Sequence, residues 1–146
     1  IYYGAMLNFE TGIYFNKNLS VGAFYSTGLG VSPDGYSSED GYNNYLDLGG
    51  LKFSYTLKPQ DRFHPSIFLK SGFGNYALET ISSAEFVNIS VFTFSPGISI
   101  DYRVNNYFKL GLHTSYRNVS PINLSTLGET KLSGTEIGFT FKIGSF

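Results

Sequence analysis

Large apolar side chains recur at every second position along nearly the whole chain, and this period of two constrains the fold more than any other feature. In residues 1–15 the odd positions are Ile1, Tyr3, Ala5, Leu7, Phe9, Thr11, Ile13 and Phe15, while Gly4, Asn8, Glu10 and Gly12 stand between them. Only an extended strand sends successive side chains to opposite faces, so a helix is excluded here. The same alternation predicts strands over about 19–31, 45–58, 63–80, 86–103, 107–117 and 132–146, seven in all. In two of them the apolar phase changes. Leu46 and Leu48 give way to Leu51, Phe53 and Tyr55 across Gly49-Gly50, and Val87, Ile89 and Val91 give way to Phe92 and Phe94. Each change predicts a β-bulge, which shifts the phase by one residue.

Connections alternate in length. Short turns are expected at 16–18, 58–61 and 104–106, and long polar loops at 32–44 and 118–130. The strands, at about 11–18 residues, exceed the five or six usual in soluble sheets and satisfy the roughly 9–11 that a tilted membrane strand needs. One face is apolar throughout and the other is small or polar, which describes a barrel with lipid outside and polar groups within. The soluble alternative is a lipocalin-like barrel with its apolar face inward. Aromatic residues gather where strands meet short turns, at Tyr14, Phe15, Tyr55, Phe63, Tyr102, Tyr107 and Phe108. That placement suits a membrane-interface girdle.

Composition narrows the function classes. Ten Lys and Arg against eleven Asp and Glu leave a formal charge of −1, which offers nucleic acid no basic surface. With no Cys there is no disulfide framework and no thiolate metal site. No apolar run reaches the roughly 20 residues of a membrane-spanning helix. At 146 residues the chain is read as a single domain, 1–146. It opens on Ile1-Tyr2-Tyr3, already strand-like, and is read as a mature or truncated chain.

The chain resembles the small outer-membrane β-barrel families of Gram-negative bacteria, most clearly in Ser95-Pro96-Gly97-Ile98-Ser99-Ile100-Asp101-Tyr102-Arg103 and in the closing Gly138-Phe139-Thr140-Phe141-Lys142-Ile143-Gly144-Ser145-Phe146. The resemblance implies an antiparallel up-and-down transmembrane barrel and recognition of the terminal segment by the barrel-assembly machinery. It also implies contact with outer-membrane lipid and lipopolysaccharide, and leaves room for partner proteins of the envelope. Such barrels have an even number of strands, so an eighth strand is expected ahead of Ile1.

Among candidate sites, His113-Thr114-Ser115 is similar to the catalytic pair of outer-membrane lipid A deacylases. The likeness implies His113 as base, Ser115 as nucleophile and Glu129 or Glu136 as the orienting acid. The residue after the Ser is Tyr116, where that family carries Asn, and the competing reading makes His113 and Ser115 ordinary lumen-facing side chains beside Lys109 and Arg117. Gly28 and Gly30 are not followed by a helix pattern, so they do not form a nucleotide loop. His64 and His113 lie on different strands without zinc spacing. Asp34, Glu39, Asp40 and Asp47 lack the order of a calcium loop. No metal or cofactor is expected. The remaining candidate is a charge cluster: Glu10, Lys52, Lys70, His113 and Glu136 fall on the polar phase near mid-strand and are expected to neutralise one another inside the barrel. The function expected is non-enzymatic: a membrane anchor, surface module or subunit of an envelope complex. The alternatives are the deacylase-like hydrolase and a narrow, porin-like passive pore.

Overall fold

The computed structural model describes residues 5–29, 42–80, 86–122 and 133–143. These residues form seven strands: β1 (Ala5–Tyr14), β2 (Leu19–Leu29), β3 (Tyr42–Thr56), β4 (Phe63–Thr80), β5 (Phe86–Asn105), β6 (Phe108–Pro121) and β7 (Gly134–Ile143). Each pairs antiparallel with its neighbour in sequence, giving one sheet in the order β1 to β7. The fold is therefore an all-β, up-and-down meander. It is curled like a barrel, because inward side chains of the two edge strands meet: Asn8 Nδ2 on β1 donates to Glu136 Oε1 on β7 at 3.3 Å. No helix occurs among the described residues.

Local chemistry fixes the turns. Asn16 Oδ1 accepts from the backbone N–H groups of Asn18 and Leu19 at 2.8 and 2.7 Å, and Asn105 Oδ1 accepts from Tyr107 N–H at 2.8 Å. Both are Asx turns, in which a short side chain replaces a backbone acceptor. The β3–β4 turn is closed by Asp61 N–H to the Lys58 carbonyl at 3.2 Å. β3 begins at Tyr42 and β6 runs to Pro121, so strand extends into both segments expected as long loops. Asp47, within the strand expected over 45–58, stands on β3 and accepts from Tyr25 Oη at 3.2 Å.

The two expected bulges are absent. The β3–β4 ladder is unbroken from Tyr42↔Thr80 to Thr56↔Ser66, and the β4–β5 ladder from Phe63↔Tyr102 to Glu79↔Phe86. Among the described residues a register shift appears only at Arg103/Asn105, beside the β5–β6 turn. The phase changes have another cause. Leu46, Leu48 and Val91 point inward, and with Phe24, Tyr76 and Val119 they form a buried apolar cluster against which Ile89 packs. The side chain of Val87 lies outside those described. Strand phase is conserved; what changes along the strand is the lining of the interior. Toward the long connections the interior is apolar, and toward the short turns it is polar.

Counted over the described residues, thirteen polar or charged residues are buried against seven hydrophobic ones. The outward phase carries the large apolar residues, including Leu7, Phe9, Ile13, Phe53, Ile98, Phe139 and Phe141. Near the short turns Phe63 lies against Tyr102, with ring centroids 5.1 Å apart, and Phe108 stacks on Phe141 at 6.4 Å. Tyr14 departs from this outward band. It sits on the inward phase of β1, with its ring 5.9 Å from Lys109 Nζ.

Candidate functional site: a charged layer inside the sheet

Ladder register brings the inward charges together. Lys52 on β3 is directly opposite Lys70 on β4. Glu10 reaches both from β1, its Oε2 2.5 Å from Lys52 Nζ and its Oε1 2.9 Å from Lys70 Nζ. One carboxylate thus answers two ammonium groups that would otherwise repel across the ladder.

A second group forms on β6 and β7. Glu136 Oε1 lies 3.4 Å from His113 Nε2, and its Oε2 lies 3.7 Å from Arg117 Nη1. Asn8 ties this group to β1 through its amide, while its Oδ1 accepts from Ser26 Oγ. The five side chains expected as one cluster therefore meet as two: Glu10 with Lys52 and Lys70, and Glu136 with His113. Arg117 joins the second group.

Phe68 separates the two groups. Lys52 Nζ is 4.6 Å and Lys70 Nζ 5.6 Å from its ring centroid, within cation–π range. The same ring meets His113 edge-on at 6.1 Å. Phe68 belongs to the polar phase of its strand, with His64, Ser66 and Lys70. An aromatic residue on the wrong phase was the sequence signal for it. Two glycines leave the space this layer needs. A Cβ on Gly97 would come within 2.4 Å of Phe68 Cζ, and one on Gly138 within 2.6 Å of His113 Cε1.

The His113–Ser115 reading meets a different geometry. His113 engages Thr140 Oγ1 at 3.0 Å through Nδ1 and Glu136 through Nε2. Ser115 Oγ is buried without a hydrogen-bond partner. The base-to-nucleophile hydrogen bond that would activate the serine is not formed. Glu129, the other candidate acid, and the terminal Phe146 lie outside the described residues. No group of three His, Asp or Glu side chains among the described residues could hold a metal ion.

Toward the short turns, a further pair joins Lys142 Nζ to Asp101 Oδ2 at 2.6 Å. Between it and the Glu10 group lies a cavity of about 340 Å³, lined by Lys52, Ser54, Thr56, Ser66, Ser99 and Thr140 among others. The sequence did not single out this pair, because Asp101 and Lys142 lie on β5 and β7, two strands apart. Compared with known families, curated proteins and solved structures, the chain matches none.

Proposed function

We propose that this protein is a β-barrel of the bacterial outer membrane that serves as a membrane anchor or as a subunit of an envelope assembly, with an occluded interior and no catalytic role. The observation that carries the reading is the inverted distribution of side chains. Phe139 is 81% exposed and Leu7 67%, while Lys70, His113 and Arg117 are buried. In water such a surface would associate or aggregate; in hydrocarbon it is the favourable one.

Occlusion follows from two layers across the interior. The apolar cluster around Leu46, Tyr76 and Val91 fills the end toward the long connections, and the ion pairs around Phe68 fill the middle. Interiors of barrels with about eight strands are filled by side chains. The reading also calls for one more strand. β1 and β7 run in the same direction and each has one unpaired edge among the described residues. A strand antiparallel to both would satisfy those edges, which hydrocarbon cannot.

Reconstitution into planar bilayers and lipid discs tests the proposal. Spin labels at positions 9, 98 and 139 should report lipid contact, and the bilayer should show no steady conductance. Water accessibility at most of these positions would reject the membrane reading. Sustained conductance would reject the occluded interior. Altered lipid A in cells expressing the protein would favour the hydrolase instead.

A further inference from the structure

β1 and β7 stand on either side of a gap one strand wide. Asn8 and Glu136 meet across it at 3.3 Å, and the two edges run the same way with no ladder partner between them among the described residues. Two ladder spacings come to about 9.5 Å, a span that an Asn and a Glu side chain joined by one hydrogen bond cover. Toward the short turns from that contact, the 340 Å³ cavity reaches into the gap. β3 lines it with alternate residues, Lys52, Ser54 and Thr56, as a strand paired on both sides does. β7 lines it with consecutive ones, Phe139 through Lys142. The cavity therefore passes the open edge of β7 as well as facing its inner side.

The charged groups on the cavity wall are Glu10, Lys52 and Lys142. Glu10 has both oxygens engaged, with Lys52 at 2.5 Å and Lys70 at 2.9 Å. Lys142 is held by Asp101 at 2.6 Å. Two carboxylates thus answer three ammonium groups, and one positive charge is left over. Each ammonium carries three donors, and the side chains of Lys142 and Lys52 stay 25% and 15% open. The two cations also act on each other electrostatically. Nothing bulky stands between Lys52 and the gap. Gly12, Gly22 and Lys52 follow one another in ladder register, and neither glycine carries a side chain.

We infer that the gap is the seat of one extended partner strand, antiparallel to β1 and β7, whose inner face carries a carboxylate between Gly12 and Thr140 and, four residues later, Gly, Ala or Ser between Asn8 and Glu136. This rests on the membrane reading, in which unpaired edges would meet hydrocarbon, and it specifies the chemistry of the strand that closes them. Strand addition pairs the free N–H and C=O groups of both edges. The carboxylate takes the open donors of Lys142 and Lys52 in charge-assisted hydrogen bonds. The small residue is required because the Asn8 and Glu136 side chains already occupy the inner side of the gap at their level. Their order follows from direction: β1 and β7 both run toward the short turns, so an antiparallel strand passes Thr140 before Glu136. A second copy does not supply this pattern from its own edges, because four residues after Glu10 stands Tyr14 and four after Glu136 stands Thr140.

The test uses the full chain in lipid discs, with folding checked by heat-dependent gel mobility, and a fluorescent peptide of about ten residues, the length of a membrane strand. The peptide is apolar at alternate positions; its other phase carries Glu, then Gly four residues on, and Ser elsewhere. It should bind, with a rise in fluorescence anisotropy and in the unfolding temperature of the protein. Gln in place of the peptide Glu should weaken binding about tenfold or more, and Leu in place of its Gly should abolish it. Lys142→Gln should remove the preference for Glu over Gln, while Lys17→Gln, on an exposed turn, should not. Equal binding of the Glu and Gln peptides would overturn the inference. So would equal binding of the Gly and Leu peptides, or dimers of the chain that exclude every peptide. If spin labels at positions 53 and 98, away from the gap, report lipid while no peptide binds, the inference fails and the membrane reading stands. Water at both labels would overturn the membrane reading and this inference with it.

Discussion

Lys52 and Lys70 face each other across the β3–β4 ladder, and their mutual repulsion is relieved by a carboxylate from another strand, Glu10. Removing that carboxylate is therefore worse than removing one lysine. Glu10→Gln should destabilise the fold by about 3–5 kcal/mol, the usual cost of breaking a buried pair from one side. Replacing Glu10, Lys52 and Lys70 together by Gln, Met and Met should recover most of the loss. Denaturant titrations of the single and triple variants measure the difference, and strict additivity would show that the three side chains are independent.

The second group depends on a missing side chain. A methyl group at position 138 would meet the His113 ring at 2.6 Å, so Gly138→Ala should push His113 away from Glu136. The expected cost is about 1–3 kcal/mol, as for other overpacked interiors. Loss of the His113–Glu136 contact should shift the imidazole resonances in an NMR spectrum of labelled protein. An unchanged imidazole environment would mean that the strand moves instead.

The apolar layer toward the long connections should contribute like a protein core. Leu46 is fully buried, and Leu46→Ala should cost about 2–5 kcal/mol. Leu51→Ala, five residues along the same strand but outward and exposed, should cost far less in detergent. Similar losses at both positions would contradict the assignment of faces.

Outward positions should reject charge. Phe9→Arg and Ile98→Arg should each cost about 2–4 kcal/mol in a bilayer if they lie near its midplane. In water-exposed sheets the same changes cost little. Equilibrium unfolding from lipid vesicles provides the comparison.

Strand number, strand order and the outward face were legible because all three follow from alternation. Leu7, Phe9 and Ile13 announce their face within their own strand. Leu46 and Val91 show where this reasoning stops. An apolar residue on the polar phase means either that the backbone has slipped or that the interior has become apolar, and sequence alone does not separate the two. Continuous ladders decide for the second. Glu10, Lys52 and Lys70 were recognisable as inward charges, yet their pairing needed register. The contacts of Phe68 and Arg117 and the Asp101–Lys142 pair needed register for the same reason, since their partners sit on other strands.

The contact between Asn8 and Glu136 reports on more than itself. Stepping from Asn8 across successive ladder partners leads through Ser26, Leu48, Gly74 and Val91 to Pro121. Stepping back from Glu136 leads through Ser115, Gly97, Phe68, Ser54 and Ser20 to Tyr14. The two paths reach β1 six residues apart, at Asn8 and Tyr14, a climb of about 20 Å at the usual rise per residue. The sheet is thus wound like a spiral stair, with the strands inclined to its axis. Asn8 and Glu136 touch because every step has its present height. A slip of one residue in any ladder would move them apart and turn a whole strand inside out. That single amide-to-carboxylate distance, measured by a pair of labels, is a gauge of the whole winding.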